Sequence, residues 1–333
     1  MQRSREALRP EPNRFDAVLP DTDTLRRALA ACLSGADGSG GLTIEDRSQN
    51  VRASSAPSEI VTCRLGNGEQ LKVLCKYDAG ADYSIGHRGG TAREALVYDK
   101  VLTPLGVVPR FFGSYRVRES GETWLFIEYL GPRLRMPEAP HPEAMRLSAR
   151  WLGRFHRLNE PRLAERDLAF LHRYDADYLF SWPHHTAQLA GPLIGEFPWL
   201  PEACARAPEL LSVLCKRPQT VIHGEYYPKN ILWIDTDVCP IDWESAAIGP
   251  GEIDLASLTV DWGAEVEADA RREYSLARWP HGEPEGTNDA LIAARLYWAF
   301  RWLGECSKWT LDPKYRWCLY EIHQLACISG LIN

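Results

Sequence analysis

Hydrophobic and polar residues recur with two different periods along the first third of the chain. In LRRALAACL three leucines fall on one face at helical spacing, after a capping Asp21 or Thr22. Residues 59–77 instead alternate as two strands around a Gly-Asn-Gly turn. A helix is predicted over 91–102, and 110–130 read as a second hairpin. This part of the chain therefore predicts a small sheet with one helix.

The pattern becomes helical after Gly131. Residues 144–158 predict a strongly amphipathic helix, and the chain after Asp254 again has helical periodicity. Residues 221–244 form a strand-like island between helical stretches. We therefore predict an α+β fold with a small β-rich N-lobe and a larger, mainly helical C-lobe. The predicted boundaries are 1–40 for an N-terminal arm and helix, 41–130 for the N-lobe and 131–333 for the C-lobe.

Composition narrows the class of protein. A chain of 333 residues exceeds what one compact core usually covers, and 45% hydrophobic with 25% charged residues is typical of a globular protein. A net charge of -7 argues against nucleic acid or an anionic membrane as the partner. We find neither a signal peptide nor a membrane-spanning apolar run. The nine cysteines have no C-x-x-C spacing, so we expect reduced thiols and a cytoplasmic protein.

The island VIHGEYYPKNILWIDTDVCPIDWE holds the candidate chemistry. A turn at Asp235–Asp237 predicts a hairpin that folds Asp242 back towards Asn230. Amide and carboxylate oxygens are ligands that suit Mg²⁺, which completes its shell with phosphates and water. Glu225 stands just before them, where a carboxylate could accept a proton from a hydroxyl group. The turn aspartates also have a purely structural interpretation.

The joint spacing of this island resembles the aminoglycoside phosphotransferase and choline kinase family, which shares the protein-kinase-like fold. That family has His-Gly-Asp, four residues, Asn, a hairpin and a metal-binding Asp. The resemblance implies that Glu225 is the catalytic base and that Asn230 and Asp242 bind Mg²⁺. It further implies that His223 and Asp254 support the catalytic loop, that Glu244 assists the metal through water, and that Lys229 either stabilises the transferred phosphoryl group or faces water.

The resemblance extends over roughly residues 45–330 and implies a site for ATP or GTP. Lys76 would contact the nucleotide phosphates and pair with Glu94, as in kinases. The backbone at Glu128 and Leu130 would receive the base, and a loop with Ser54 and Ser55 would bind phosphate through hydroxyl and N–H groups.

Two of these assignments have alternatives. Thr91 and Glu94 also fit a capping box, in which Glu94 would only cap its helix. Lys72 lies on the same predicted strand as Lys76 and could take its place.

Two features depart from the family pattern: position 225 has Glu where Asp is usual, and the loop at 50–60 has no glycine. The remaining metal and phosphate residues favour an active enzyme. We expect Mg²⁺-dependent transfer of a nucleotide γ-phosphate to a hydroxyl of a small molecule. The alternative is a catalytically inactive kinase-like module that binds a nucleotide or metabolite.

Residues 251–290 hold ten acidic residues against three arginines. Such a stretch suits a cationic acceptor, for example an aminoglycoside, amino sugar or amino alcohol, or it forms a solvated acidic face. The sequence leaves open the acceptor, the choice between ATP and GTP, and whether the protein is a monomer or a homodimer.

Overall fold

The computed structural model describes most of the chain, in ten segments. These are residues 19–33, 41–53, 56–78, 88–106, 109–133, 135–136, 142–234, 236–260, 262–306 and 310–332. They fall into two compact units. One contains the described residues up to 133 together with Cys239–Ser245, and the other contains the remaining described residues. Ser54 and Ser55 of the predicted phosphate loop lie outside the described residues.

The N-terminal unit is built on a five-stranded antiparallel sheet. Its strands are β1 (Thr43–Gln49), β2 (Ser58–Arg64), β3 (Gln70–Lys76), β4 (Phe111–Arg116) and β5 (Thr123–Glu128), in the order β1-β2-β3-β5-β4. Both predicted hairpins are present, β2 with β3 and β4 with β5. Gly68 and Gly121 have φ of 88° and 74° in the two turns, a conformation that glycine adopts without steric cost.

Two helices accompany this sheet, α1 (Thr22–Leu33) and α2 (Gly90–Val97). Asp21 caps α1, because its carboxylate accepts a hydrogen bond from the Thr24 N–H at 2.9 Å. The leucines of α1 share a core with Val73 and Phe126 of the sheet. The α2 helix continues as a π-helical turn, Tyr98–Leu102, and the segment ends at Gly106 with φ of 65°.

The C-terminal unit is mainly helical. Its helices are α3 (Pro142–Asn159), α4 (Ala176–Leu189), α5 (Leu200–Cys215), α6 (Glu252–Thr259), α7 (Ala264–Arg278), α8 (Thr287–Gly304) and α9 (Arg316–Ile328). The predicted amphipathic helix is α3, which packs along α7. The α8 helix packs against α4, α5, α6 and α9, so it lies in the interior of this unit.

Short strands bring the motif residues of this unit together. They are β6 (His172–Arg173), β7 (Gln219–Ile222), β8 (Ile231–Ile234), β9 (Asp237–Pro240) and β10 (Ala247–Pro250). The predicted hairpin of β8 and β9 is present, whereas β10 was not predicted. Because β7 pairs antiparallel with β10, with Ile222 opposite Ala247, the loop after β7 lies beside the start of β10.

The α+β class is confirmed, with a β-rich N-terminal unit and a mainly helical C-terminal unit. Among the described residues, no helix is both long enough and apolar enough to cross a membrane. All nine cysteines are free thiols.

Candidate active site

The loop after β7 is held by one buried carboxylate. Asp254, in the first turn of α6, accepts hydrogen bonds from the backbone N–H groups of His223 at 2.6 Å and Gly224 at 2.9 Å. Gly224 has φ of 76°, which glycine adopts freely. A carboxylate that accepts two backbone N–H groups in a buried environment fixes the main chain of the loop.

A chain of buried side chains supports Asp254 in turn. Arg278 donates to the Tyr274 hydroxyl, which lies 2.9 Å from Nδ1 of His156, and Nε2 of His156 lies 3.2 Å from Asp254. These contacts fit a neutral imidazole with its proton on Nε2. Burial lowers the pKa of His156, which favours this neutral form. The sequence analysis did not identify Tyr274 or Arg278.

Glu225 is buried, with 5% of its surface exposed, and its atoms are fixed at three points. Its N–H donates to Nδ1 of His223 at 3.2 Å, and its carbonyl accepts from Nδ2 of Asn230 at 3.0 Å. Its Oε1 accepts from Nη2 of Arg301 at 2.6 Å. Because the amide nitrogen of Asn230 donates to the Glu225 carbonyl, the side-chain oxygen of Asn230 is the atom suited to a metal ion.

Arg301, on α8, is a site residue that the sequence analysis missed. Its guanidinium lies 4.6 Å from the ring centroid of Trp298. Burial would lower the pKa of Arg301, but the Glu225 carboxylate together with the neighbouring Tyr297, Tyr227 and Glu305 outweighs it. The pKa is therefore raised, and the side chain is a permanent cation. Nothing in its spacing marks Arg301 out, because it lies among apolar residues of an ordinary helical pattern.

Aromatic side chains surround this ion pair. The Trp302 indole N–H donates to the Tyr227 hydroxyl at 2.9 Å, and the Tyr227 and Trp298 rings lie 4.9 Å apart. Lys229 is half-buried, with its ammonium 5.5 Å from the Tyr227 ring centroid. The base candidate therefore lies in an environment that excludes much of the solvent.

The N-terminal unit assembles the predicted phosphate residues. Nζ of Lys76, at the end of β3, donates to Glu94 Oε2 at 2.5 Å and to Asp242 Oδ1 at 2.8 Å. Burial alone would lower the pKa of Lys76, but the Asp242 and Glu94 carboxylates outweigh it and raise this pKa. Burial raises the pKa of Glu94, which the Lys76 charge opposes. The three groups form a compact charged cluster at the end of a strand.

The geometry bears on two alternatives for this cluster: Glu94 as a helix cap, and Lys72 in place of Lys76. The N-cap of α2 is Gly89, without a side-chain cap hydrogen bond, and Glu94 instead contacts Lys76 and accepts from the Trp243 N–H at 3.2 Å. Lys72 is exposed, whereas Lys76 is 9% exposed. The contact of Lys76 with phosphate remains a prediction.

Asp242 and Glu244 lie on the segment that returns to the N-terminal unit. Asp242 has φ of 69°, and its carboxylate is the one that contacts Lys76. Glu244 is 2% exposed, its carbonyl accepts from the Gly89 N–H at 2.9 Å and its carboxylate lies 3.9 Å from Nε of Arg88. Asp242 therefore places its carboxylate beside the Lys76 ammonium.

The residues predicted to receive the base take part in local hydrogen bonds. The Glu128 N–H donates to the Arg110 carbonyl at 2.8 Å, and its carboxylate accepts from the Arg110 N–H at 3.2 Å. The Leu130 carbonyl accepts from Nε of Arg133 at 3.0 Å. Their contact with the nucleotide remains a prediction.

The donor set bears on the expected metal. Within the described segments, no group of three or more His, Cys, Asp or Glu side chains forms a metal site by itself. Magnesium in phosphotransfer sites characteristically takes one or two protein oxygens and completes its shell with phosphates and water. The side-chain oxygen of Asn230, in the C-terminal unit, and the carboxylate of Asp242, in the N-terminal unit, are each ligands of the kind that Mg²⁺ binds.

Comparison with known proteins now identifies the class. Residues 82–287 match the family model described as phosphotransferase enzyme family. The chain therefore belongs to this family, which supports phosphotransfer to small molecules in general. A comparison with curated proteins gives no match.

Three solved structures illustrate the fold. Wild-type aminoglycoside 2'-phosphotransferase-IIIa in its GDP complex has a TM-score of 0.64 and 12% identity, over 93% of this chain and 100% of that one. Choline kinase from Cryptosporidium parvum Iowa II has a TM-score of 0.60 and 12% identity, over 94% and 98%. LicA in complex with AMP has a TM-score of 0.59 and 13% identity, over 93% and 97%. The kinase-like fold is thereby confirmed.

Proposed function

We propose that this protein transfers the γ-phosphate of ATP or GTP, in a Mg²⁺-dependent reaction, to a hydroxyl group of a small molecule. The observation that carries the proposal is the buried contact of Lys76 with both Glu94 and Asp242. In kinases a strand lysine that pairs with a helix glutamate orients the nucleotide phosphates, and a nearby aspartate binds the metal. Membership of a phosphotransferase family supports the same reaction.

The nucleotide half of the reaction depends on positioning. Lys76, fixed by Glu94, would orient the phosphates, and Glu128, Leu130, Ser54 and Ser55 are the further nucleotide contacts. The metal, with Asn230 and Asp242 as protein ligands, would neutralise charge that develops on the phosphates. Glu244 is proposed to assist that metal through water.

The acceptor half requires a base and a stable loop. Glu225 would accept the proton of the acceptor hydroxyl while the hydroxyl oxygen forms a bond to the γ-phosphorus. The bond from that phosphorus to the bridging oxygen breaks, and the nucleoside diphosphate leaves. His223 and Asp254 would hold the main chain of the loop in place. Lys229 is proposed to stabilise the transferred phosphoryl group.

The acidic stretch does not by itself support a cationic acceptor, because arginines neutralise several of its carboxylates. Asp269 pairs with Arg146, and Glu273 pairs with Arg150. The partly exposed Trp302 ring beside Tyr227 gives better support for an amino sugar, aminoglycoside or amino alcohol, since aromatic faces bind cations, whereas the Tyr227 and Trp298 rings are buried.

The test is γ-³²P transfer from ATP and from GTP, with Mg²⁺, to a panel of aminoglycosides, amino sugars, amino alcohols and other hydroxylated natural products. We expect a labelled product that Asp242→Ala and Glu225→Ala abolish. Lys76→Ala should lose transfer, whereas the matched control Lys72→Ala, an exposed lysine of the same strand, should retain it.

The alternative, a catalytically inactive nucleotide- or metabolite-binding module, predicts a different result. It binds nucleotide in calorimetry but shows neither transfer nor slow Mg²⁺-dependent hydrolysis without acceptor. An active enzyme that lacks its acceptor in the panel still hydrolyses nucleotide slowly, and Asp242→Ala abolishes that hydrolysis.

A further inference from the structure

We propose that Arg301 is a positioning residue for the reaction, because it holds the carboxylate of Glu225 in the orientation from which that group accepts the acceptor proton. This inference rests on the proposed function. It assigns a role to Arg301, which lies outside the motif and 76 positions after Glu225.

The contact itself is short and buried. Nη2 of Arg301 lies 2.6 Å from Oε1 of Glu225, and the two side chains are 2% and 7% exposed. A charge-assisted hydrogen bond in such a low-dielectric environment is much stronger than one in water. One oxygen of the carboxylate is therefore fixed in direction, and the orientation of the other follows from the planarity of the group.

Arg301 is in turn held in place. Its guanidinium lies over the Trp298 ring at 4.6 Å, and the Trp298 indole N–H donates to the Ile253 carbonyl at 2.7 Å. Ile253 precedes Asp254, whose carboxylate holds the loop main chain. The start of α6 thus fixes the backbone before Glu225 through Asp254 and its side chain through Trp298 and Arg301.

Stability alone gives a poor reason for this pair. Removing two charges from water costs several kcal/mol per ion, so a buried ion pair often contributes no more than apolar side chains of similar volume. A role in orientation gives the pair a purpose that apolar residues could not serve.

The same contact explains why position 225 can hold glutamate. A carboxylate one methylene longer has more conformational freedom, and a displacement of about 1 Å can cost on the order of 100-fold in rate. Arg301 removes that freedom by binding Oε1. Glu225 and Arg301 therefore form one functional unit, and the departure from aspartate is compatible with catalysis.

Steady-state kinetics on Arg301 variants test the inference. For Arg301→Met we expect kcat to fall about 100-fold, with the KM for the nucleotide unchanged, because the lost interaction acts on the base. Arg301→Lys keeps the charge but not the planar guanidinium, so its kcat should be about 10-fold higher than that of Arg301→Met.

Arg217→Met is the matched control. Arg217 is also a buried arginine in an ion pair, with Glu252 at 2.8 Å, and it donates to the Glu285 carbonyl near the start of α8. Arg217→Met should lower the melting temperature of the protein, whereas the kcat of the folded variant should stay close to that of the wild type. A purely structural role for Arg301 would make the two variants alike.

A double-variant cycle keeps the test valid if Arg301→Met folds poorly, as judged by circular dichroism and thermal melting. Glu225→Asp shortens the carboxylate and breaks the contact while it retains a base. If the two residues act as one unit, combining Glu225→Asp with Arg301→Lys should cost far less in kcat than the product of the single losses.

The outcomes separate this inference from the proposed function. An active wild type with unchanged kcat in Arg301→Met and Arg301→Lys would overturn the role of Arg301 alone. Independent, multiplicative losses in the cycle would overturn it too. A wild type with neither transfer nor hydrolysis would overturn both proposals at once.

Discussion

Asp242 combines backbone strain with a charge that the site needs. It is the one non-glycine residue in the described part of the chain with positive φ, at 69°. That conformation costs an L-residue roughly 1–2 kcal/mol, less for aspartate and asparagine. The contact of its carboxylate with Lys76 at 2.8 Å offsets the strain and fixes the direction of the side chain.

Two substitutions at Asp242 separate strain from charge. Asp242→Ala and Asp242→Gly both remove the carboxylate, so both should lose phosphotransfer. Because glycine adopts positive φ freely, Asp242→Gly should be more stable than Asp242→Ala by about 1 kcal/mol in urea unfolding. Equal stabilities would show that the backbone relaxes once the carboxylate is removed.

His156 makes stability depend on pH. Burial depresses its pKa in the folded state, so below about 6.5 the unfolded chain binds a proton that the folded chain does not. The free energy of unfolding should therefore fall as the pH drops from about 6.5 towards the folded pKa. Urea titrations at successive pH values should show this slope reduced in His156→Gln.

His281→Gln, at an exposed histidine, is the control for that slope and should keep it. An unchanged slope in His156→Gln would mean that another group titrates in this pH range.

The packing of α3 on α7 depends on one glycine. A Cβ at Gly153 would lie 2.5 Å from the Tyr274 carbonyl oxygen and 2.9 Å from Cβ of Ala277. Replacing a helix glycine by alanine ordinarily stabilises a helix by about 1 kcal/mol. Here we expect Gly153→Ala to destabilise by about 1–3 kcal/mol, because the helices must separate.

Urea unfolding measures the effect, with Gly191→Ala as the control. Gly191 has open space around its Cβ position, so that variant should be neutral or slightly stabilised. The displacement in Gly153→Ala also reaches Tyr274, which contacts His156, so transfer should fall with stability. A stabilised Gly153→Ala would contradict the close packing.

Elements with strong local signals were predictable from the sequence. The turns at Gly68 and Gly121 allowed both hairpins to be found, and the leucine spacing identified α1. The strand β10 was missed, because its four residues include Gly249 and Pro250 and its partner β7 lies about 25 positions earlier. Long-range pairing of such short strands leaves little trace in local periodicity.

The candidate site likewise contains residues that the sequence identified and residues that it did not. Residues within the motif, such as Glu225 and Asn230, could be selected by spacing. Arg301, Tyr274 and Arg278 could not, because each lies on a helix far from the motif in sequence. Arg301 contacts Glu225 only in the folded chain, and Tyr274 and Arg278 support the loop only through His156 and Asp254. Their roles depend on tertiary packing, which a single sequence does not specify locally.

At the scale of the whole molecule, the chain builds its charged cluster from distant segments. Lys76 and Asp242 are 166 positions apart, yet both belong to the N-terminal unit, since Cys239–Ser245 returns to it. A ligand that binds this cluster therefore binds only the folded chain, because the unfolded chain does not hold these groups together. Ligand binding must then raise the stability of the protein.

That linkage gives a measurement that needs no acceptor. At a free concentration of Mg²⁺-nucleotide 100 times its Kd, the folded state gains about 2.7 kcal/mol, which should raise the melting midpoint by several degrees. Lys76→Met should lose most of this shift, measured from the ligand-free midpoint of the same variant. The reason is that the carboxylates of Glu94 and Asp242 no longer contact a lysine cation. Lys72→Met, at the exposed lysine of β3, should retain it. Equal shifts in the two variants would contradict the assignment of Lys76 to the nucleotide, whatever the acceptor is.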